Sequence, residues 1–508
     1  GKRLVAAETC TWLRNHFKTA LSQAKPEVDQ LFLNGINHIF FHGTCYSPKE
    51  APWPGWLFYA SMEYNPRNAI WRDAPFLNAY VTRCQSILQS GNPSNDVAIY
   101  WPIYDIWHSP EGMQQRLTVH GPEWLTESST GDAARWLKAK GYGFDYISDR
   151  QLAAGLAKPY RVVMVPKTEH MPIDTLKVLI ALADEGKPVV FLESLPRDVP
   201  GFKDYNQRRG ELQSLVKNKE RMVVDWEGLR DRLESSGVRR EPMVDSGLEF
   251  IRRTHESGFH YFVANMGEQP VDGWIALGTP LESAVIMDPR SGETGMATLN
   301  EDSEIYLQLL PGETRILRTF QNKSGDGPSW PLLENVKEDP LTLEGKWNVT
   351  FIEGDPKLPD PFETSELESW TESGGEESKR FAGTARYSLE FTLPETKADD
   401  WTIDLGEVRE SARVSLNGKP AANLWSVPFR ANVGQFLQSG KNLLELEVTN
   451  LSANRIRDLD VRGVEWKIFY DANIVDHNYR PFDASRWEIV PSGLLGPVRL
   501  IPMKSITP

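Results

Sequence analysis

The sequence predicts a multidomain chain that combines α/β parts with all-β parts. Its 508 residues exceed what one hydrophobic core organises, so several domains are expected. Strand and helix patterns alternate over the first half, whereas short apolar–polar alternations separated by Gly and Pro turns fill the second half. These observations favour, in chain order, the end of a TIM barrel, a flavodoxin-like α/β domain, a small β domain and a β-sandwich.

Residues 1–92 show the strand–helix rhythm of a TIM barrel or a doubly wound sheet. Buried strands are predicted at 2–7 and 37–41, and helical periodicity runs through 12–34 and 74–89. Two such units cannot close a barrel, so we interpret residues 1–92 as its C-terminal portion. The first strand begins almost at the first residue, which leads us to expect that an N-terminal part of the same protein accompanies this chain.

Residues 93–242 contain continuous apolar runs typical of parallel strands that are buried on both faces. The order of strands and helices resembles a flavodoxin or glutamine-amidotransferase fold. No dinucleotide, phosphate-loop or G-x-S-x-G signature occurs in it, so a structural role is expected. Asp105, Trp107 and His108 nevertheless follow its first strand, at the sheet edge where open α/β sheets bind ligands.

The remaining chain is predicted to be rich in antiparallel β structure. Residues 243–322 alternate apolar and polar positions between turns, as expected for a small antiparallel β domain. Residues 323–342 have few strand signals and are predicted to form a linker. Residues 343–508 contain recurrent strand and turn patterns, which predict an all-β sandwich.

Composition narrows the class of partner. The formal charge is −14, from 70 acidic against 56 basic residues, which disfavours nucleic acid and anionic membranes. No run of 18 apolar residues exists, so no membrane span is predicted. The three cysteines lack metal-site spacing. The 17 tryptophans suit carbohydrate, because aromatic rings stack on the C–H faces of sugars.

Two stretches resemble known carbohydrate-active families. The segments beginning YSLEFTL at Tyr387, ARVSLNG through Asn417-Gly418, and GKNLLELEVTN ending at Asn450 resemble the galactose-binding-like jelly roll of family 2 glycoside hydrolases. There, Asn-Gly forms a hairpin turn, because both turn residues need positive φ. This resemblance implies a fold and says little about function.

The N-terminal stretch resembles the end of the barrel in family 106 glycoside hydrolases, the α-L-rhamnosidases. The residues that carry it are AAET from Ala6, GINHIFFHG from Gly35, YSP from Tyr46 and NPRNAIW from Asn65. The resemblance implies an inverting hydrolase of terminal α-L-rhamnosides, in plant or microbial polysaccharides or glycosides, and a periplasmic or secreted location. The resemblance also implies that the reaction needs no cofactor, and it is compatible with a calcium ion near the sugar.

Glu8 is the predicted catalytic residue. It follows a predicted strand, at the barrel edge that carries active sites, and the resemblance favours it as the base that activates water. The competing interpretation is a strand-end carboxylate paired with Lys2, Arg3 or Arg14. Glu63 and Asp73 are further loop carboxylates in this stretch.

Six further residues are predicted to contact the sugar, because they lie at the next strand end or in the long loop that follows. They are His42, Thr44, Trp53, Trp56, Asn68 and Trp71. Packing or turn capping explains each of them equally well. Asp458, Asp460, Asp471 and Asp476 are candidate calcium ligands without regular spacing.

Two other functions remain open at this stage. The chain could be a non-catalytic carbohydrate-binding or scaffold fragment, because most of a barrel is absent from it. It could also belong to a family 2-like β-glycosidase, which shares the jelly roll but has a different barrel end.

Overall fold

The computed structural model describes residues 3–112, 114–118, 120–322, 325–467 and 474–508. Within them, four groups of elements follow one another along the chain. No helix in these ranges is long and apolar enough to cross a membrane.

The first group contains two parallel strands with helices on one side. Its elements are β1 (Ala6–Thr9), α1 (Leu21–Leu33), β2 (His38–Phe41), α2 (Ala74–Leu88) and β3 (Asn92–Pro93), with a 3₁₀ turn at Ala69–Arg72. β1 pairs with β2 in parallel. The predicted helix at 12–34 is wrong for its first part, because that stretch hydrogen-bonds to a distant loop instead: Ser61 N donates to Trp12 O, and Phe17 N donates to Ser61 O.

The core beneath this group is shared with later parts of the chain. α1 and α2 bury apolar side chains together with Phe262 and Ile316 of the β region and with Trp425 and Leu451 near the C-terminus. β3 joins a sheet of the β region through Asn92, which lies opposite Thr254. The first group is therefore held in place by tertiary contacts along much of the chain.

The second group is a parallel five-stranded sheet with helices on both faces. Its elements are β4 (Val97–Tyr100), α3 (Ile103–His108), α4 (Glu123–Thr126), α5 (Ser129–Ala139), β5 (Phe144–Ile147), α6 (Asp149–Ala153), β6 (Val162–Val165), α7 (Ile173–Asp184), β7 (Val189–Leu192), α8 (Tyr205–Val216), β8 (Val223–Val224) and α9 (Leu229–Ser235). The strand order β5-β4-β6-β7-β8 is the flavodoxin-like order. Alternate strand residues enter two separate apolar clusters, one on each face, which explains the continuous apolar runs.

The third group is antiparallel. Its strands are β9 (Glu249–His255), β10 (Gly258–Ala264), β11 (Val271–Ile275), β12 (Ser283–Met287), β13 (Thr294–Met296), β14 (Ile305–Leu309) and β15 (Thr314–Phe320). The order β13-β12-β15-β10-β9-β3 forms one sheet, and β11 pairs with β14. One apolar cluster lies between the β11–β14 pair and the larger sheet.

The fourth group consists mainly of two sheets packed over one core. Its elements are β16 (Leu333–Asn335), β17 (Leu341–Thr342), β18 (Trp347–Asp355), β19 (Phe362–Thr364), α10 (Trp370–Ser373), α11 (Gly375–Ser378), β20 (Ala382–Leu393), β21 (Asp400–Asp404), β22 (Glu407–Arg409), β23 (Ser411–Leu416), β24 (Lys419–Leu424), β25 (Arg430–Asn432), β26 (Gly440–Thr449), α12 (Ala453–Val461), β27 (Gly493–Gly496) and β28 (Arg499–Ser505). Sheet β19-β18-β20-β26-β23-β24 packs against sheet β16-β28-β21-β25, with Trp347, Tyr387 and Leu446 from the first sheet and Ile403 and Leu500 from the second in the shared core. The connectivity of a jelly roll stays a prediction.

Two expectations for the C-terminal half are corrected. The stretch predicted as a linker contains β16 and β17, which both pair with β28, because sheet edges recruit short strands that sequence patterns do not mark. The part predicted to be all-β contains α12, whose Ile456 lies in a small apolar cluster with Phe17 and Leu57 of the first group. Asn417 and Gly418 have φ of 53° and 76° between β23 and β24, so the predicted hairpin turn is confirmed.

Candidate active site

The two parallel strands of the first group have one covered and one uncovered face. In the register Glu8 lies opposite Phe40, and Ala7 opposite Ile39. Ile39 and Phe41 pack against the core under the helices, whereas Phe40 is 50% exposed on the other face. In (β/α)₈ barrels the helices cover the outer face of the strands, and the face without helices points to the inside.

Glu8 and His42 meet on the uncovered face. Glu8 lies within β1, and His42 directly follows β2. His42 Nδ1 is 3.2 Å from Glu8 Oε2, and both side chains are about half exposed. When Nδ1 donates to the carboxylate, Nε2 of His42 remains available for another partner. The arrangement joins an accessible carboxylate to an oriented imidazole.

Nearby contacts fix the orientation of His42. Thr11 Oγ1 donates to the carbonyl oxygen of His42 at 3.0 Å. The His42 ring lies 4.6 Å from the Phe58 ring, which in turn contacts Tyr59 at 4.3 Å. An aromatic wall therefore stands beside the Glu8–His42 pair.

Trp56 retains an accessible ring in the predicted loop. It is 43% exposed, and its backbone N donates to Ser47 Oγ. Thr44 is more constrained, because its hydroxyl donates to Tyr64 O at 2.6 Å. We therefore keep Trp56 as a candidate sugar contact and interpret Thr44 as a loop-shaping residue.

Three other predicted sugar contacts serve the architecture instead. Trp53 Nε1 donates to Arg67 O, and the guanidinium of Arg455 lies 3.7 Å from the centre of its ring. Trp71 packs on Tyr64 at the edge of the core. Asn68 is 3% exposed. Trp53 and Asn68 contact side chains of the C-terminal part of the chain, Arg455 and Ser452 respectively.

The hydrogen bonds of Asn68 are all internal ones. Its amide donates to the carbonyl oxygens of Met62 and Glu63, each at 3.1 Å, and its side-chain oxygen accepts from Ser452 at 3.0 Å. Its predicted role in sugar binding is therefore replaced by a role in fixing the loop.

A buried pair next to the site escaped the sequence analysis. His16 Nδ1 lies 2.8 Å from Glu63 Oε1, with both side chains almost fully buried. Burial raises the pKa of the Glu63 carboxyl. His16 Nε2 is 3.2 Å from Val475 O, and the His16 ring contacts Phe482, so the pair joins the loops to the C-terminal segment. His16 fell inside the predicted helix, and no sequence signal marked it.

The other loop carboxylate, Asp73, is also used internally. It accepts from Arg413 Nε at 2.8 Å and from Ser411 Oγ at 2.6 Å, both on β23. Neither Asp73 nor Glu63 is an accessible second carboxylate for catalysis.

The candidate calcium ligands are engaged in local contacts. Asp460 accepts from Lys467 and Ala484, Asp458 pairs with Arg462, and Asp476 accepts from the backbone N of Asn478 and Arg480. Asp471 lies outside the described residues. In the described part of the chain, no group of three or more His, Cys, Asp or Glu side chains is arranged to hold a metal ion. Calcium therefore stays an expectation from the resemblance.

The fold is that of a multidomain α/β and β-rich protein with an accessible carboxylate at the ends of two parallel strands, and comparison with known proteins specifies the family. Residues 1–296 match the model of glycoside hydrolase family 106, alpha-L-rhamnosidase. The chain therefore belongs to this family of glycosidases, which confirms the predicted resemblance.

Two relatives illustrate the similarity. A putative β-glucuronidase from Formosa agariphila is 30% identical over 299 residues, which are 53% of this chain and 25% of that protein. A rhamnosidase from Novosphingobium sp. PP1Y superposes with a TM-score of 0.73 at 22% identity, covering 98% of this chain and 48% of that one. The chain thus spans between a quarter and about half of the length of these relatives.

Proposed function

We propose that this chain forms the C-terminal part of an inverting α-L-rhamnosidase in which Glu8 is one of two catalytic carboxylates. The observation that carries the proposal is the Glu8–His42 pair, on the uncovered face of two parallel strands and at their carboxyl ends. Active sites of (β/α)₈ enzymes lie at that end of the strands. The family match includes these residues.

Inversion requires a carboxylic acid and a carboxylate about 6.5–9.5 Å apart, with water between the base and the sugar. Glu8 suits the base, because its side chain is accessible and His42 donates to one of its oxygens. The other oxygen can then accept a proton from water. In this proposal the acid comes from an N-terminal part of the same enzyme; the two relatives are longer than this chain.

The substrate side of the pair offers contacts suited to a sugar. His42 Nε2 can bond to a hydroxyl, and the Phe58 ring beside it provides an apolar wall. Trp56 exposes 43% of its surface in the same loop. Closing this space with further barrel strands would exclude water and strengthen the interaction of Glu8 with an oxocarbenium-like transition state. Terminal α-L-rhamnosides of plant or microbial polysaccharides or glycosides are the proposed substrates, and a periplasmic or secreted location is proposed with them.

The test uses this chain together with the N-terminal part that the proposal requires. Release of an aryl alcohol from an aryl α-L-rhamnoside measures turnover, and NMR of the first product formed reports inversion. Glu8→Gln should lower kcat by about 10²-fold or more, because it keeps the shape but removes the base.

Glu27→Gln is the matched control. Glu27 is similarly half exposed and forms an ion pair with Arg14, so its substitution should leave kcat within about twofold. Equal rates for the wild type and the Glu8→Gln variant would remove Glu8 from the mechanism. Retention of anomeric configuration would contradict the two-carboxylate inverting scheme.

The Formosa agariphila relative supports a second candidate, a β-glycosidase acting on glucuronides. Aryl β-glucuronide and β-galactoside should therefore be assayed beside the rhamnoside. Turnover of a β-glycoside alone would favour this candidate. Sugar binding without hydrolysis of any glycoside would favour a non-catalytic binding or scaffold protein.

A further inference from the structure

A cavity of about 730 Å³ lies at the edge of the parallel sheet. Its walls come from α3 after β4, from the stretch after β6 that leads into α7, and from the loop after β7. In the order β5-β4-β6-β7-β8, the chain first adds β5 on one side of β4 and then crosses to add β6 on the other side. The topological switch point of the sheet therefore lies between β4 and β6. Crevices outside the carboxyl ends of strands at such a switch point are ligand sites in open α/β sheets, and this volume is in the usual range for ligands.

One wall of the cavity is aromatic and accessible. Trp107 is 51% exposed, and Tyr104 supports it edge-on with ring centres 5.6 Å apart. His108 stacks on His170 at 3.9 Å and 29°. Trp107 is thus a half-exposed aromatic side chain in the lining of the cavity, and such a ring can stack on the C–H face of a sugar.

Asp105 fixes the histidine part of this wall. Its carboxylate accepts from Thr168 Oγ1, the backbone N of Glu169 and the backbone N of His170, at 2.5, 2.9 and 2.7 Å. The same carboxylate lies 2.8 Å from His170 Nδ1. With Nδ1 donating to Asp105, His170 keeps Nε2 for another partner. The wall is therefore preorganised, which lowers the entropic cost of binding.

The opposite wall carries two cations, Arg208 and Lys177, that have partners within the chain. Arg208 donates to the carbonyl oxygens of Lys203, Pro200 and Gly201, at 2.6–2.7 Å, and so holds the loop after β7. Lys177 pairs with Glu211 at 2.7 Å. The charges of Lys177 and Arg208 are balanced by Asp174 and Glu211, which also line the cavity, so it has no surplus positive charge for an anionic ligand. Apolar rings and neutral hydrogen-bonding groups instead match an uncharged polyol.

We propose that this cavity is a carbohydrate-binding site that takes a neutral pyranose unit, with Trp107 as the stacking platform. His108 and His170 would hydrogen-bond the hydroxyls at the ring edge. The site is separate from the Glu8–His42 pair and does not depend on the proposed hydrolysis. It would hold a glycan chain on the enzyme surface without reacting with it.

The experiment tests the 508-residue chain on a glycan array of neutral mono- to tetrasaccharides. Calorimetry then measures the affinity for the sugars that bind. Trp107→Ala should weaken binding by about tenfold or more, the usual effect of removing an aromatic anchor. Tyr146→Ala is the matched control, because Tyr146 is 44% exposed on β5 of the same sheet and does not line the cavity. It should leave the affinity unchanged, and both variants should unfold at the wild-type temperature.

Further outcomes separate this site from the catalytic one. The Glu8→Gln variant should bind the array sugars with wild-type affinity. Loss of hydrolysis in that variant would therefore not contradict the proposed binding site. Binding that survives Trp107→Ala would overturn it, as would preference for D-glucuronate over neutral sugars. The absence of any array sugar that binds would overturn it too.

Discussion

Arg252→Met removes a buried guanidinium that joins three stretches of the chain. Arg252 and Glu241 form an ion pair in which both side chains are almost fully buried. The guanidinium also donates to the carbonyl oxygen of Ser94, from Nη2 at 3.0 Å and from Nε at 3.3 Å. Ser94 precedes β4, Glu241 follows α9 and Arg252 lies on β9. One side chain thus ties the parallel sheet to the antiparallel region.

The expected loss of stability follows from the unpaired Glu241 carboxylate that the substitution leaves in the core. In Arg252→Met, the Glu241 carboxylate keeps bonds from Tyr261 Oη at 3.0 Å and Gly278 N at 2.7 Å but loses its buried cation. Burial already raises the pKa of Glu241, so its charged form becomes still more costly. Breaking a buried pair from one side costs about 3–5 kcal/mol, whereas removing both charges costs much less. The double variant Arg252→Met/Glu241→Gln should therefore recover about 2 kcal/mol relative to additivity.

Urea unfolding followed by tryptophan fluorescence measures these differences. The control is Arg230→Met, which breaks the half-exposed pair with Glu234 and should cost less than about 1 kcal/mol. A loss below about 1 kcal/mol for Arg252→Met would contradict the reasoning. If the change in the free energy of unfolding of the double variant equalled the sum of the two single changes, Arg252 and Glu241 would not stabilise each other.

Two further predictions concern the C-terminal sheets. Burial raises the pKa of Glu410 to about 7 from 4.5, so the folded state binds more protons and the free energy of unfolding falls as pH rises between these values. Glu410→Gln should remove this pH dependence and should be more stable than the wild type above pH 7, by at most about 3 kcal/mol. Thermal melts from pH 4 to 8 measure the difference. Parallel stability profiles for the wild type and the variant would disprove the prediction. Gly418→Val should cost about 1–2 kcal/mol in urea melts, because φ is 76° there. The control is Gly210→Ala inside α8, where an added Cβ meets open space; it should stabilise the protein by about 0.5–1 kcal/mol. If both substitutions changed the stability in the same direction, backbone strain at Gly418 would be excluded as the cause.

Elements with strong local signals were predictable from the sequence. The strand predicted at 37–41 and the helix predicted at 74–89 agree with β2 and α2 to within one residue at each end, because apolar runs and helical periodicity are determined within each element. Asn417-Gly418 likewise marks its own turn. β16 and β17 were missed because a short edge strand is decided by the partner it pairs with, here β28.

The candidate site was predictable only in part. The position of Glu8 and His42 near the ends of neighbouring strands follows from strand periodicity. Asn68 and Trp53 looked equally available in the loop, but Ser452 and Arg455, from the far end of the chain, occupy them. Loop residues do not follow the regular side-chain periodicity of helices and strands, so their contacts cannot be inferred from their spacing in the sequence.

The sequence by itself determined the succession of α/β and β parts and the net charge of −14, because periodicity and composition are properties of the chain alone. The family resemblance came from short motifs near the N-terminus, such as GINHIFFHG from Gly35. Only the tertiary structure decided that His16 meets Glu63, 47 positions away, and that both meet a segment near residue 475. It also decided that Asp105 reaches His170, 65 positions on, and so shapes the cavity at the sheet edge. Such contacts depend on how separate elements pack, and packing depends on burying apolar surface across the whole chain.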